Sequence, residues 1–319
     1  MINILANDGI SQAGIDVLKT KGFNIVTEKV AQEDLINSIN SENYEVLLVR
    51  STTTVRKDLI DACPQLKIIG RGGVGMDNID VDYAKEKGLK VINTPAASSA
   101  SVAELVFAHL FGMVRFLFDA NRQMPMAGES DFKSLKKSYS KGRELAGKTL
   151  GIIGFGRIGK EVAKRAIGLG MKVIAHDKFI DKANITLEFF NGDKKSFTIE
   201  TESLKNVLTN ADFVTLHIPK DGDKAIIGAK EIGMMKTGAG IINASRGGVI
   251  DETALMFALD KEKLAYAGLD VFENEPTPAI HLLMHGAVSL TPHIGAATLE
   301  AQERIGTELA EQIATYFNK

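Results

Sequence analysis

Short apolar runs alternate with stretches of helical spacing along almost the whole chain. In the first third, residues 2–6, 24–27, 45–49, 66–70 and 90–92 are apolar runs of strand length. Between them, 11–21, 32–40, 57–63 and 81–87 carry the spacing of amphipathic helices. The first of these closes at Gly22 and the third stops before Pro64. Residues 98–118 then read as one long helix, apolar nearly all round, with Glu104, His109 and Arg115 as its ionisable residues. Such a helix must be buried on most sides, against another domain or another subunit. Residues 119–143 are polar and read as an irregular surface segment. From Gly147 the alternation resumes, with strands at 150–153, 171–176, 212–218, 239–243, 266–271 and 288–290. Helices are predicted at 160–169, 203–208, 230–235, 252–260 and 298–317. Residues 185–190 and 195–201 read as a surface hairpin turning at Asn191-Gly192-Asp193, with no catalytic role. Strands alternating with helices predict an α/β protein with parallel sheets.

One strand end is unlike the rest. The run Leu150-Gly151-Ile152-Ile153 breaks into Gly154-Phe155-Gly156-Arg157-Ile158-Gly159, and a helix follows. Gly154 suits a tight turn, Gly156 allows close approach of a pyrophosphate, and Gly159 lets helix and strand pack closely. The helix N-terminus offers free N–H groups and a positive dipole end to phosphate. The next strand ends at Asp177, where a carboxylate can take the two ribose hydroxyls of NAD. It would repel the 2′-phosphate of NADP, an effect weakened slightly by Lys178. Strand, glycines, helix, strand and acid in that order predict a dinucleotide site.

Composition narrows the class. At 319 residues the chain has room for two ordinary domains, and its composition, 45% hydrophobic and 24% charged, is that of a globular protein with an ample core. A net charge of −2 gives no reason to expect nucleic acid or an anionic membrane as partner. One cysteine, Cys63, precludes an intramolecular disulfide and fits a reducing, cytoplasmic setting. The N-terminus lacks the basic start and long apolar run of a signal peptide, and no apolar run approaches membrane-spanning length. No metal site is expected.

Arg246, Glu275 and His293 each follow a predicted strand, in turns containing Gly or Pro. Strand ends of a parallel sheet share one edge, so the three can meet in one cleft. Oxidising a hydroxy acid needs a base for the hydroxyl proton and a cation for the carboxylate. His293 suits the base, Glu275 would hold its ring and favour the imidazolium, and Arg246 would grip the carboxylate with its planar fork. Any one of them alone could equally be a structural ion pair or a cap.

These motifs together resemble the D-isomer-specific 2-hydroxyacid dehydrogenases along nearly the whole chain. The resemblance is carried by Gly154 to Gly159 with Asp177, and by Leu216-His217-Ile218-Pro219. It is carried further by Asn243-Ala244-Ser245-Arg246-Gly247-Gly248, the stretch from Leu269 to Pro276, and the stretch from Thr291 to Thr298. It implies Arg246 as substrate ligand, Glu275 and His293 as the catalytic pair, and Asp270 as the acid at the nicotinamide carboxamide. His217, Ile218, Pro219, Ala244, Ser245 and Gly295 complete the expected NAD contacts. It also implies two doubly wound Rossmann-like domains, one inserted in the other: a substrate-binding domain of 1–97 and 292–319, and an NAD-binding domain of 98–291. A homodimer is implied, with the 98–118 helix at or near its interface.

Within the family, Val49-Arg50-Ser51-Thr52-Thr53 and the stretch from Gly70 to Asp80 are most similar to members acting on 3-phospho-D-glycerate. Asn93-Thr94-Pro95 adds to that likeness. Such a substrate needs cations beyond Arg246, and Arg50 and Arg71 can supply them. Ser51, Gly73, Val74 and Gly75 would complete that site, with N–H groups of Val74 and Gly75 on the carboxylate. Lys136, Lys137 or Lys141 could add charge. Longer members carry a regulatory domain after the last helix, and control through such a domain is not expected here. The alternatives are a glyoxylate/hydroxypyruvate reductase, another D-2-hydroxyacid dehydrogenase, or an NAD(H)-sensing corepressor-like binding protein.

Overall fold

A computed structural model describes residues 1–220, 222 and 224–318. The chain forms two compact units, Met1–Ser101 with Ala296–Lys319, and Val102–Gly295. Both breaks fall four residues beyond the expected 97/98 and 291/292.

The first unit holds strands β1 (Asn3–Ala6), β2 (Asn24–Val26), β3 (Tyr44–Val49), β4 (Ile68–Arg71) and β5 (Lys90–Asn93). They are parallel, in the order β2-β1-β3-β4-β5. Each strand alternates its side chains between two apolar layers, as period-2 geometry requires. Ile4, Val46, Leu48 and Ile68 pack with helices α1 (Gln12–Thr20) and α13 (Leu299–Tyr316). Leu5, Leu47, Val49 and Ile69 face α2 (Leu35–Ser41), α3 (Lys57–Ala62) and α4 (Val81–Glu86). The last helix of the chain therefore completes the first unit. Its crossing with α1 is backbone against backbone, since a Cβ on Gly14 would lie 2.8 Å from the carbonyl of Gly306.

The second unit holds β6 (Thr149–Ile153), β7 (Lys172–His176), β10 (Phe213–Leu216), β11 (Ala239–Asn243), β12 (Leu264–Leu269) and β13 (Val288–Leu290). They too are parallel, in the order β13-β12-β11-β10-β6-β7. One layer packs Leu150, Ile152 and Ile242 with α5 (Ser99–Val114) and α8 (Arg157–Gly168). The other packs Val214, Leu216 and Ile241 with α9 (Leu204–Asn210), α10 (Ala229–Met234) and α11 (Glu252–Asp260). Strand order reverses between β6 and β10, which opens a crevice at their carboxyl ends.

Two expectations need correction. The single helix over 98–118 ends at Val114, because Phe116 takes a left-handed φ of 54°. The segment over 119–143 is helical rather than irregular, as α6 (Leu117–Ala127) and α7 (Phe132–Ser138), with α6 bent 55° from α5. Neither α6 nor α7 buries a residue, so neither shows the apolar stripe that betrays a helix in sequence. Local pairs hold them instead, among them the Tyr139 hydroxyl donating to Asp119 at 2.7 Å and Arg122 lying over Phe118. The hairpin forms as β8 (Lys182–Glu188) and β9 (Lys194–Glu200), shifted toward the N-terminus on both arms. Ile185 and Ala183 of β8 are buried in the α8 layer. Among the described residues, no single helix is long and apolar enough to cross a membrane; only α5 and α6 together, across their bend, reach that length and composition.

Gly14→Val forces side-chain atoms into the Gly306 backbone, which cannot retreat. Overpacking of this kind costs about 1–3 kcal/mol. Chemical denaturation should show that loss; wild-type stability would mean the crossing is not close-packed.

Candidate active site

The glycine turn is built as its sequence requires. Gly154 has φ of 93°, and a Cβ there would lie 2.4 Å from the His217 carbonyl oxygen. A Cβ on Gly159 would lie 2.2 Å from the Gly154 carbonyl oxygen, so α8 packs directly on the turn. Gly156 caps α8 with no side chain, and a Cβ there would meet nothing within 4 Å. Among the described residues nothing accepts from the N–H groups of Arg157 and Ile158. An open cradle ending on free helix N–H groups fits a dinucleotide pyrophosphate.

Asp177 closes β7 beside this turn. Its carboxylate accepts from the N–H groups of Phe155 at 2.6 Å, Phe179 at 2.8 Å and Ile180 at 3.1 Å. A carboxylate offers about four acceptor positions, so ribose hydroxyls would take the remaining one and share the others. His217, Ile218 and Pro219 follow β10 on the other side of the crevice. The His217 Nε2 pairs with Thr215 Oγ1 at 3.0 Å, while its Nδ1 is buried with no partner among the described residues. Burial pushes this imidazole down to about 3.

Ala244 and Ser245 follow β11. Asn243 locks their turn, accepting from Ser245 N–H at 3.0 Å and Oγ at 2.7 Å while donating to the Arg246 carbonyl at 2.8 Å. Asp270 follows β12 and is 1% exposed. It accepts from Thr291 Oγ1 at 2.7 Å and from the N–H groups of Ile294 and Gly295, both at 2.8 Å. Its own carbonyl accepts from His293 N–H at 2.8 Å. His293 sits in that loop with φ of 55°, a conformation uncommon outside glycine.

Glu275 and His293 meet. His293 Nδ1 lies 2.8 Å from Glu275 Oε2, and Glu275 Oε1 accepts from Phe272 N–H at 3.0 Å. The pair is partly open to solvent beside a 440 Å³ cavity walled by Phe272, Pro276, Leu283, Leu290 and Pro292. The Glu275–Pro276 peptide is cis. Arg246 lies one strand over, and its Nη1 donates to the Ser245 carbonyl at 2.7 Å.

The Arg246 and Glu275 loops are held in register by two devices that sequence reasoning missed. A Cβ on Gly247 would fall 1.8 Å from the Phe272 carbonyl oxygen, so the loops touch backbone to backbone. Glu252 and Glu273 also exchange bonds: Glu252 N–H donates to Glu273 at 3.0 Å, and Glu273 N–H donates to Glu252 at 2.7 Å. Burial pushes the Glu252 carboxyl up, with the nearby Glu273 charge adding to it. A buried acid opening an apolar helix was the available signal.

In the first unit, Arg50 and Ser51 follow β3, and Arg71 ends the neighbouring β4, whose register pairs Val49 with Arg71. Asp8, also missed, organises the first of these turns by accepting from the N–H groups of Arg50 at 2.7 Å and Thr53 at 3.1 Å. Burial alone would raise its pKa, but these bonds and those from the Thr52 and Thr53 hydroxyls hold it below the usual range. Asn78 closes the turn by donating to the carbonyls of Arg50 and Thr53 at 2.8 and 2.6 Å. Gly73 has φ of 150°, and the Arg71 guanidinium lies over it, 2.3 Å from where a Cβ would stand. Among the described residues nothing accepts from the N–H groups of Val74 and Gly75, while Asn93 fixes the Val74 carbonyl at 2.8 Å.

A switch-point glycine cradle and a histidine–carboxylate pair on one sheet edge define a dinucleotide-linked dehydrogenase. Residues 107–295 match the D-isomer specific 2-hydroxyacid dehydrogenase, NAD binding domain. The chain belongs to that family of NAD-dependent oxidoreductases. It is 43% identical to hydroxypyruvate reductase of Thermotoga maritima, over 96% of this chain and 95% of that one. It is 42% identical to D-3-phosphoglycerate dehydrogenase of Methanocaldococcus jannaschii, over 98% of this chain but 57% of the relative, so it spans little more than half of that protein. A glyoxylate reductase from Paecilomyes thermophila superposes with a TM-score of 0.82 at 29% identity, over 100% of this chain and 96% of that one.

Two histidines, His109 buried and His217 partly buried, make stability depend on pH. Burial lowers the pKa of His109 from its ordinary 6.5 and pushes His217 down to about 3, so both are neutral in the fold. The unfolded chain protonates them near 6.5, so their cost is absent above that pH and grows as pH falls toward the folded values. The slope is up to about 1.4 kcal/mol per pH unit for each. Denaturation of His217→Gln across this window should show a slope shallower than wild type by about that amount. An identical slope would mean that His217 titrates normally in the fold.

Proposed function

We propose that this chain is a D-3-phosphoglycerate dehydrogenase that oxidises 3-phospho-D-glycerate to 3-phosphohydroxypyruvate, a step of serine biosynthesis. NAD, when bound, supplies the hydride acceptor. His293 takes the hydroxyl proton. Its Nδ1–H is committed to Glu275, which leaves Nε2 as the accepting atom and stabilises the imidazolium that forms. Arg246 holds the substrate carboxylate with its planar fork. Asp177, Asp270, Gly295 and the turns after β10 and β11 hold the coenzyme.

The observation that carries the choice of substrate is that Arg50 and Arg71 close neighbouring strands, with the turn at Arg50 built by Asp8 and Asn78. Two cations on neighbouring strand ends, with the open N–H groups of Val74 and Gly75 in the turn after Arg71, suit a substrate carrying a phosphate as well as a carboxylate. The second reading, a glyoxylate/hydroxypyruvate reductase, is favoured by the full-length match to the Thermotoga relative. The exposed Phe111, Leu117, Met124, Met126 and Phe132 around α5 to α7 support a homodimer. The single cysteine supports a cytoplasmic setting.

A substrate comparison decides between the readings. With NAD, kcat/KM for 3-phospho-D-glycerate should exceed that for D-glycerate and D-lactate. Arg71→Ala should reduce it about 10–100-fold, the worth of one charge-assisted bond, while affecting D-glycerate far less. No preference for the phosphorylated acid, or an equal loss on both substrates, would overturn this reading.

A further inference from the structure

His109 is a buried titratable side chain to which proton transfer at His293 gives no task. It is 2% exposed on the largely apolar α5. Room is left for it by Gly268 of β12, where a Cβ would lie 3.0 Å from the His109 Cβ. His109 Nδ1 lies 2.8 Å from Ser289 Oγ, and its Nε2 lies 3.0 Å from Thr291 Oγ1. Thr291 Oγ1 in turn lies 2.7 Å from Asp270 Oδ1.

The chemistry of these groups fixes the direction of the chain. A carboxylate only accepts, so Thr291 must give its single O–H to Asp270. The Thr291 oxygen then accepts from His109 Nε2–H. Nδ1 of the neutral ring is left to accept from the Ser289 hydroxyl. Every proton points toward Asp270, and bonds so aligned reinforce one another. Neutrality of the ring is favoured by burial, which outweighs the opposing pull of the Asp270 charge. At the far end, Asp270 binds the N–H groups of Ile294 and Gly295, and its carbonyl binds the N–H of His293.

We infer that His109 is a positioning residue, whose one-way relay from Ser289 through Thr291 to Asp270 fixes the 291–295 loop and with it the ring of His293. The inference rests on the proposed role of His293 and Glu275.

Nitrogen-15 NMR of the full chain near neutral pH should show His109 as the neutral Nε2–H tautomer. The Nδ1–H tautomer or an imidazolium would overturn the relay. His109→Phe keeps an aromatic ring but removes both bonds, and should lower kcat about tenfold or more. His109→Gln, which can still donate to Thr291, should recover most of that loss. Wild-type kcat in His109→Phe, or no recovery in His109→Gln, would overturn the proposal. Should His109→Phe fail to fold, Thr291→Val serves: it removes the acceptor of Nε2–H, should release the tautomer and lower kcat, and an unchanged tautomer and kcat would count against the relay. Glu275→Gln separates the two readings. If it lowers kcat while His109→Phe does not, only the relay falls; if it leaves kcat unchanged, the assigned catalytic pair falls and the relay with it.

Discussion

The second unit is organised around one buried carboxylate. Removing a charge from water costs several kcal/mol unless hydrogen bonds replace the lost solvent. Asp270, at the end of β12, meets that demand only if the chain after β13 folds round it and delivers Thr291 O–H with the N–H groups of Ile294 and Gly295. That wrapping leaves His293 in a left-handed conformation it would not adopt alone. The chain leaving Asp270 also carries Glu275, so both members of the histidine–carboxylate pair are set from the end of one strand. The arrangement of proton donor and acceptor is thus a consequence of satisfying a buried charge.

Around that centre, precision comes from close backbone approach more than from long side chains. Gly247 lets the Arg246 loop lie on the Phe272 carbonyl, and Gly159 lets α8 rest on the Gly154 turn. The Glu252–Glu273 exchange ties the start of α11 to the Glu275 loop. The parallel sheet places these loops on one edge, and the glycines and carboxylates set their spacing. The first unit uses the same logic, with Asp8 and Asn78 shaping the turn that presents Arg50.

Much of this was legible in the sequence because it is periodic. Strands of alternating or continuous apolar residues, such as those expected at 150–153 and 239–243, were legible because both faces of each sheet are covered. The glycine turn was legible because its spacing answers a steric demand. What did not read was held by contacts without period. α6 and α7 bury nothing, so hydrophobic spacing could not reveal them. The break at Phe116 depends on a single backbone angle. Asp8, Glu252 and His109 act through partners distant in sequence, and each alone looks like an ordinary polar residue. Substrate choice was the least legible part, because Arg50 and Arg71 gain meaning only from neighbouring strand ends that pairing brings together.

The most direct test of the account is a single turnover of NADH formation by His293→Ala, with NADH affinity measured on the same protein. The account predicts that turnover falls by about 10²–10⁴-fold, the usual contribution of a general base, while NADH affinity stays near that of the wild type. Turnover at the wild-type rate would contradict it.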